Sequence, residues 1–466
     1  MNEMCRWTAI ETAAQLRAGK VSVREVVSAH LARAHAVNPR LNALPAILDE
    51  EALARADELD AGGDRSALLF GLPVTIKINI DQKGTVNSNG IPALAGNVAN
   101  EDSPLVTNMR RDGAVFIART NTPEFSLRWF TSNPLHGVTK NPWDETLTPG
   151  GSSGGASSSV AAGVGVIAHG NDLGGSLRYP AYCCGIASIR PSLGRVPAFN
   201  PSLKGARPPI TQQMSVQGPI ARSVGDLRLA LRSMASRDSR DPLWCAAQSS
   251  GRMRDKVSLR IGMVVNAFDR NDDPEVIRAV EIASQGLKAA GHCIEPCTPP
   301  QMQHAAKVWG QLLSTETELL SLPFMREVGS PQLNRSFEGY KAVYGVTDLA
   351  GYMFAMQERL RLQWEWARFF DDYDLLLMPA SGALPFENDL DFKHPDAIPD
   401  MLKAQEYLFV VNVLGLPAVA VPTHVAQRAP CGVQLVAPMH DDWFCLDVAE
   451  ALEREIGRPV EGLAFG

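Results

Sequence analysis

Apolar residues recur at helical spacing near the start of the chain. Two segments there begin with a capping-box pattern, Thr8 with Glu11 and Ser22 with Glu25, which is typical of a helix N-terminus. We therefore predict two helices within the first sixty residues. The second is expected to stop at Asn38-Pro39, because the residue before a proline disfavours helical backbone.

Further along, short apolar runs alternate with helical patterns. Such runs, bounded by turn residues, predict buried strands. The predicted strands are 71–78, 114–118, 164–168, 261–265, 375–378, 418–421 and 433–437, and the clearest helices between and after them are 107–112 and 443–456. This alternation predicts an α/β protein with a large mixed, mostly parallel twisted β-sheet covered by helices on both faces.

The domain organisation follows from length and continuity. The 466 residues can bury a large core, and neither an internal repeat nor a long linker divides them. We predict a single domain over 1–466. Within it, residues 1–60 form N-terminal helices, 71–195 hold the chemistry, and 300–372 form a helical layer over the sheet.

Composition and charge exclude several classes of partner. The net charge is −7 and the basic residues are scattered, which argues against nucleic acid. The longest apolar region, 409–421, is interrupted by Asn412 and Pro417 and is too short to cross a bilayer. The first residues lack the basic and apolar pattern of a secretory signal. We predict a cytoplasmic protein that binds neither nucleic acid nor membrane.

The eight cysteines include no C-x-x-C pair, and a chain of this length does not need disulfides. Cys293 and Cys297 lie near His292, a weak indication of zinc, but a second ligand pair at suitable spacing is missing. Free, buried thiols are the simpler interpretation. We predict no metal and no cofactor.

A glycine- and serine-rich tract at 149–159 is the most informative segment. Its composition alone would suit a flexible linker. It continues, however, into an apolar run at 160–162, without the polar surroundings of a linker. Glycines in such a place more often permit positive φ or a close approach of backbone to another group.

Three local motifs in this region are weak. Residues 151–155 match the G-x-S-x-G nucleophile elbow, which would make Ser153 the nucleophile, but the preceding 139–149 are turn-rich where an elbow requires a strand. Residues 163–168 match a relaxed dinucleotide fingerprint with helix and strand in the wrong order. His169-Gly170 resembles an oxyanion loop but follows the supposed nucleophile, and a packed structural histidine is the simpler interpretation.

Longer motifs agree with one family. Residues 71–77 (GLPVTIK), 150–155 (GGSSGG), 172–180 (DLGGSLRYP) and 184–185 (CG) together resemble the lysine strand and the signature of the amidase signature family. Further similar segments make the resemblance extend over essentially the whole chain, weakest from about 240 to 370. These segments are 119–125, 141–144, 412–418 and 432–435. Departures from the family pattern are Asn171, Ile78 and 190–192.

The resemblance implies a catalytic triad without histidine. Ser176 attacks the amide carbonyl, Ser152 passes the proton on, and neutral Lys77 receives it. Ser152 is expected to follow a cis peptide bond. Lysine normally titrates near pH 10.4, so this role requires a pKa lowered by burial.

The same resemblance implies an oxyanion hole. Its donors are the backbone N–H groups of Leu173, Gly174, Gly175 and Ser176, since glycines let such groups converge on one point.

Other positions have supporting roles in this interpretation. Residues 173–176, which carry the oxyanion donors, are called the donor loop. Asp172 is expected to hold this loop by accepting backbone hydrogen bonds, and Arg178 is expected to brace it. Ser153 is expected to support the proton relay. An ion pair that merely anchors a loop would explain Arg178 equally well. We also predict that Trp129 and Phe130 line an apolar acyl pocket, with core packing as an equal alternative.

The leading prediction is therefore a stand-alone amidase that converts a small-molecule carboxamide to a carboxylate and ammonia or amine. One alternative is the glutaminase-type amidase subunit of a tRNA-dependent amidotransferase, which releases ammonia for a partner protein. Another is a non-catalytic binding relative. The substrate, and the choice between monomer and homodimer, stay open.

Overall fold

The computed structural model describes residues 1–203, 205–247, 258–268 and 270–463. In this part of the chain, an 11-stranded sheet forms the centre, and a two-stranded ribbon, β4–β5, lies apart from it. The strands are β1 (Ala46–Ile47), β2 (Pro73–Lys77), β3 (Val115–Thr120), β4 (Ser132–Asn133), β5 (Gly137–Val138), β6 (Ile167–Asp172), β7 (Ala187–Arg190), β8 (Val216–Ala221), β9 (Arg260–Met263), β10 (Cys293–Pro296), β11 (Leu375–Pro379), β12 (Ala418–Ala426) and β13 (Ala429–Val436).

Helices connect and cover these strands. They are α1 (Ala9–Arg17), α2 (Val23–Leu41), α3 (Asp49–Gly62), α4 (Pro104–Arg111), α5 (Gly154–Ala161), α6 (Arg178–Cys184), α7 (Pro209–Met214), α8 (Val224–Met234), α9 (Pro274–Ala289), α10 (Met302–Glu316), α11 (Leu322–Val328), α12 (Pro331–Tyr344), α13 (Leu349–Asp372), α14 (Leu390–Lys393), α15 (Ile398–Leu414) and α16 (Asp442–Ile456). Short 3-10 turns lie at Glu3–Cys5, Pro92–Leu94, Glu124–Ser126, Pro395–Ala397 and Pro459–Gly462, and a π-helical turn at Thr317–Ser321 joins α10 to α11.

The sheet is mixed, with strand order β1-β3-β2-β6-β8-β7-β12-β13-β11-β9-β10. Parallel pairing forms two blocks, β3-β2-β6 and β11-β9-β10, and antiparallel pairs join them through the centre. The predicted α/β class with a large mixed sheet is thus confirmed. The two parallel blocks lie on either side of the antiparallel strands β8, β7, β12 and β13.

Helices cover both faces of the sheet. Successive side chains of a strand point to opposite faces. Ile167 and Ala221 belong to the hydrophobic cluster that contains residues of α8, α9 and α16. Their chain neighbours Ala168 and Ile220 belong to a second cluster, with residues of α5. Helix α5 therefore lies on the opposite side of the sheet from α8, α9 and α16.

The predicted helix and strand boundaries are correct at some positions and wrong at others. Both capping boxes are present, at the N-termini of α1 and α2. The predicted stop at Asn38-Pro39 is wrong, because α2 includes Pro39 and ends only at Leu41, followed by Asn42 in the left-handed region. The strand expected at 164–168 begins later and runs from Ile167 to Asp172.

The helical layer expected at 300–372 consists of α10 to α13. Of these, α10, α12 and α13 pack against α15, so this layer contacts the rest of the protein largely through another helix. None of the helices in the described ranges has the length and apolar character needed to cross a membrane.

Candidate active site

The parallel block β3-β2-β6 brings three chain segments together. Parallel strands end at the same edge of a sheet, and here β2 ends at Lys77 while its neighbour β6 ends at Asp172. On the other side of β2, Thr122 follows the end of β3. Lys77, Asn171 and Asp172 therefore meet at one edge, although about a hundred residues of sequence separate the two strands.

The glycine- and serine-rich tract lies over this edge. Its second part forms α5, which packs on β2, β6 and β8, so the tract is not a linker. The peptide bond between Gly151 and Ser152 is cis. A β-carbon at Gly151 would lie only 2.6 Å from the backbone carbon of Trp129 and 2.7 Å from the backbone nitrogen of Phe130, so only glycine fits this approach.

Lys77 is the centre of a buried polar cluster. Its Nζ lies 2.7 Å from Ser152 Oγ, 3.1 Å from Ser153 Oγ and 2.7 Å from Asn171 Oδ1. Burial lowers the pKa of Lys77 well below its usual value, and the charge of Asp172 offsets only part of that effect. The structure thus places Lys77, Ser152 and Ser153 within hydrogen-bond distance, and it adds Asn171, which the sequence analysis noted only as a departure.

Ser176 lies in the loop between β6 and α6 and is 8% exposed. It lines a cavity, whereas Ser152 and Lys77 are buried and do not line it. No hydrogen bond joins Ser176 to Ser152 within the described residues. Catalytic hydrogen bonds are often long in a protein without substrate.

The donor loop is held by the carboxylate of Asp172. Gly175 N–H donates to Asp172 Oδ1 at 2.8 Å, and Leu177 N–H donates to Oδ2 at 3.2 Å. The prediction that Asp172 accepts backbone hydrogen bonds therefore agrees with this geometry. Of the four predicted oxyanion donors, Gly175 is the one whose N–H donates to Asp172 in this structure. In the described chain, the N–H groups of Leu173, Gly174 and Ser176 donate to no protein acceptor.

Asp172 and Arg178 form a fully buried ion pair. Arg178 donates to both carboxylate oxygens, at 3.0 and 3.1 Å, and also to Asn412 Oδ1 and Gln434 Oε1. Burial alone would raise the pKa of Asp172, but the charges of Arg178 and Arg190 outweigh it and hold this pKa well below its usual range. Arg178 thus braces the loop from inside the core and does not reach the cavity.

The cavity beside Ser176, which we call the acyl cavity, has an empty volume of about 600 Å³ when the solvent space at its mouth is included. Its wall is largely apolar: the aromatic members are Trp129, Trp309, Phe337, Tyr340 and Tyr344, and the aliphatic ones are Leu127, Leu173, Leu313 and Leu402. Most of these residues come from the helical region in which the family resemblance is weakest.

Of the two predicted pocket residues, Trp129 lines the acyl cavity and Phe130 does not. Phe130 instead packs near Phe386, with ring centroids 6.2 Å apart. Trp309, Tyr340 and Tyr344 were missed. Their sequence signal is only aromatic residues on predicted helices, which core packing explains equally well.

The weaker motifs find no catalytic geometry. Ser153 Oγ lies near Lys77 and the Asn171 backbone, and not near a histidine. His169 is buried, with Nε2 2.8 Å from Gln217 Oε1, and burial lowers its pKa to about 3. Across the described ranges, no three His, Cys, Asp or Glu side chains are grouped so that they could hold a metal ion. The prediction of no metal or cofactor stays a prediction.

Comparison with known proteins gives consistent matches along the chain. The amidase family model matches residues 25–446. An indoleacetamide hydrolase of Bradyrhizobium diazoefficiens is 42% identical over 457 residues, covering 97% of this chain and 87% of that protein. A glutamyl-tRNA(Gln) amidotransferase component of Chromohalobacter salexigens is 30% identical, covering 98% of each chain. Among solved structures, a bacterial aryl acylamidase of the amidase signature family has a similar fold, with a TM-score of 0.85 at 24% identity over 98% of this chain and 97% of that one.

Proposed function

The chain belongs to the amidase signature family and is an amide hydrolase, and we propose that its substrate is a primary carboxamide with an aromatic acyl group, of the indoleacetamide kind. The products would be the carboxylate and ammonia. The observation that carries this proposal is the acyl cavity, in which an aromatic wall surrounds Ser176. The name of the 42% identical relative supports the same substrate class.

The charges of the acyl cavity argue against a free amino acid as substrate. In the described part of the wall, Arg128 is the only residue with a formal charge. Its guanidinium is already paired with Asp389 at 2.8 Å and Asp391 at 2.5 Å. The carboxylate and ammonium of glutamine would thus lose water without gaining a counter-charge from the described wall, and moving ions out of water in this way costs several kcal/mol per ion. This disfavours the glutaminase-type alternative.

Lys77 is suited to act as the base in its neutral form. A neutral amine has two N–H donors and one lone pair, and Nζ has three neighbours. Asn171 Oδ1 can only accept, so it takes one N–H; Ser153 Oγ takes the other, and Ser152 O–H donates to the lone pair. Burial lowers the pKa of Lys77 well below its usual value and so favours this neutral form.

In the proposed reaction, Ser176 Oγ forms a bond to the amide carbon while its proton passes through Ser152 to Lys77. The C–N bond then breaks, and the same proton returns through Ser152 to the departing ammonia. Water attacks the resulting ester and transfers its proton along the same path, so that carboxylate is released and Ser176 is restored. The N–H groups of Leu173, Gly174 and Ser176 stabilise the oxyanion of each tetrahedral intermediate.

The experiment measures ammonia release from indoleacetamide, benzamide, acetamide and glutamine by the purified protein. We expect the aromatic amides to give the highest kcat/KM. Ser176→Ala should reduce kcat by roughly 10⁶-fold and abolish labelling by a fluorophosphonate probe, while Lys77→Ala should also remove turnover. Preference for glutamine would instead support a role within an amidotransferase. Near-normal turnover by either variant would show that the mechanism is wrong, and absence of labelling in the wild type would favour a non-catalytic relative.

We also propose that the protein works in the cytoplasm. All eight cysteines are free, which is typical of a reducing compartment.

A further inference from the structure

Two tryptophans of the acyl cavity wall donate hydrogen bonds to consecutive carbonyl groups of the donor loop. Trp309 Nε1 donates to Leu173 O at 2.9 Å, and Trp129 Nε1 donates to Gly174 O at 2.9 Å. The two residues come from distant parts of the chain: Trp309 belongs to α10, and Trp129 follows the 3-10 turn at Glu124–Ser126. The cavity wall and the loop that carries Ser176 are therefore joined at two points.

Peptide geometry gives these bonds a consequence. In a planar trans peptide, C=O and the following N–H point in opposite directions. Leu173 O shares a peptide with Gly174 N, so the bond from Trp309 sets the direction of Gly174 N–H. Gly174 O shares the next peptide with Gly175 N, whose N–H donates to Asp172. Trp129 and Asp172 thus hold that second peptide from both ends.

The first peptide is held differently. In the peptide that joins Leu173 to Gly174, Trp309 donates to the carbonyl oxygen of Leu173. The N–H of Gly174 at the other end of this peptide donates to no protein acceptor in the described chain. Preorganised N–H groups of this kind stabilise an oxyanion because they need not reorient during the reaction. A tryptophan that fixes the carbonyl end therefore fixes the free donor at the other end.

The indole of Trp309 is itself held tightly. It stacks on Phe409, with ring centroids 3.9 Å apart and planes inclined by 5°. The indole ring also contacts the donor loop at Gly174. A β-carbon at Gly174 would lie 2.7 Å from Trp309 Cζ2, so only glycine allows the loop to approach the ring. The orientation of the Nε1–H donor is therefore restricted by packing from two directions.

We propose that Trp309 is a positioning residue of the oxyanion hole as well as part of the cavity wall: through Leu173 O it aims Gly174 N–H at the developing oxyanion. This inference rests on the proposed function, because it requires an amide carbonyl to be attacked by Ser176. Trp309 acts through the peptide and does not itself contact the reacting atoms.

The test is Trp309→Phe, which keeps an aromatic ring for the stack on Phe409 and removes the N–H donor. The control is Trp366→Phe. Trp366 is also buried and its Nε1 donates to a backbone carbonyl, Pro300 O, at 2.9 Å, but it does not line the acyl cavity. The measurements are kcat and KM for indoleacetamide and the affinities for two ligands, indoleacetate and a trifluoromethyl ketone that forms a hemiketal with Ser176.

We expect Trp309→Phe to lower kcat about tenfold, less than the 10²–10³-fold loss of a direct oxyanion donor, with KM changed less than about twofold. Affinity for the ketone should fall about as much as kcat/KM, while affinity for indoleacetate stays nearly constant. Trp366→Phe should leave all four quantities unchanged. An unchanged kcat with a raised KM, or equal losses in both variants, would overturn the inference. An inactive wild-type protein would overturn the proposed function and this inference with it.

Discussion

Asn171 Oδ1 lies 2.7 Å from Lys77 Nζ, while its Nδ2 donates to Asn79 Oδ1 at 3.1 Å. The second bond orients the amide so that its oxygen faces the lysine. Asn171 therefore accepts a hydrogen bond from the amine without placing a negative charge beside it. Burial keeps the pKa of Lys77 low, and a neutral amide at position 171 adds no negative charge that would raise it.

Replacing Asn171 by aspartate should raise the pKa of Lys77. A carboxylate this close favours the charged lysine, and such pairs shift pKa values by about one to three units. Since only neutral Lys77 can accept the proton, activity is lost as pH falls through its pKa, and the acid limb of the kcat/KM profile should move to higher pH. Asn171→Ser, which adds no charge, is the control and should keep the limb in place. A limb that moves to lower pH in Asn171→Asp would contradict the assignment of Lys77 as the base.

Replacing Arg178 by methionine should destabilise the fold strongly. The change leaves the buried carboxylate of Asp172 without its main counter-charge, and breaking a buried pair in this way costs about 3–5 kcal/mol. The free energy of unfolding from urea denaturation measures the loss. Arg228→Met breaks the partly exposed pair with Asp447 and should cost at most about 1 kcal/mol. Similar losses in the free energy of unfolding in both variants would show that the buried Asp172–Arg178 pair contributes no more to stability than an exposed pair.

Trp129 and Phe130 should separate selectivity from stability. Either change to alanine removes a large buried side chain and should cost about 3–5 kcal/mol. Of these two residues, Trp129 lines the acyl cavity and Phe130 does not. Trp129→Ala should therefore reduce the ratio of kcat/KM for aromatic over small aliphatic amides by about tenfold or more, whereas Phe130→Ala should leave this ratio unchanged. The amide panel gives this ratio. An unchanged ratio in Trp129→Ala, or an equal change in Phe130→Ala, would be inconsistent with the described cavity.

Gly151 should not tolerate a side chain. Its β-carbon would meet backbone atoms of Arg128, Trp129 and Phe130, and backbone cannot move aside as a side-chain end can. We expect Gly151→Ala to lose most activity and to unfold at lower denaturant concentration. Gly62, at the end of α3, has open space around it, and Gly62→Ala should keep activity with stability equal or up to about 1 kcal/mol higher. Full activity of Gly151→Ala would contradict the described packing.

The sequence by itself determined the features that depend on nearby residues. The capping boxes of α1 and α2, the strand that ends at Lys77 and the glycine-rich approach to Ser152 all follow from short patterns, because a cap or a close backbone approach needs particular residue types at particular positions. The long motifs of the family then indicated which serines and which lysine belong together.

Tertiary structure decided everything that depends on which distant groups meet. The Asp172–Arg178 ion pair is completed by Asn412 and Gln434, which lie more than two hundred residues further along. Trp309 joins the cavity wall from the region of weakest resemblance. A hydrogen-bond donor or an aromatic ring carries no local sign of its partner, because partner choice depends on how the helices and the sheet pack after the chain has folded.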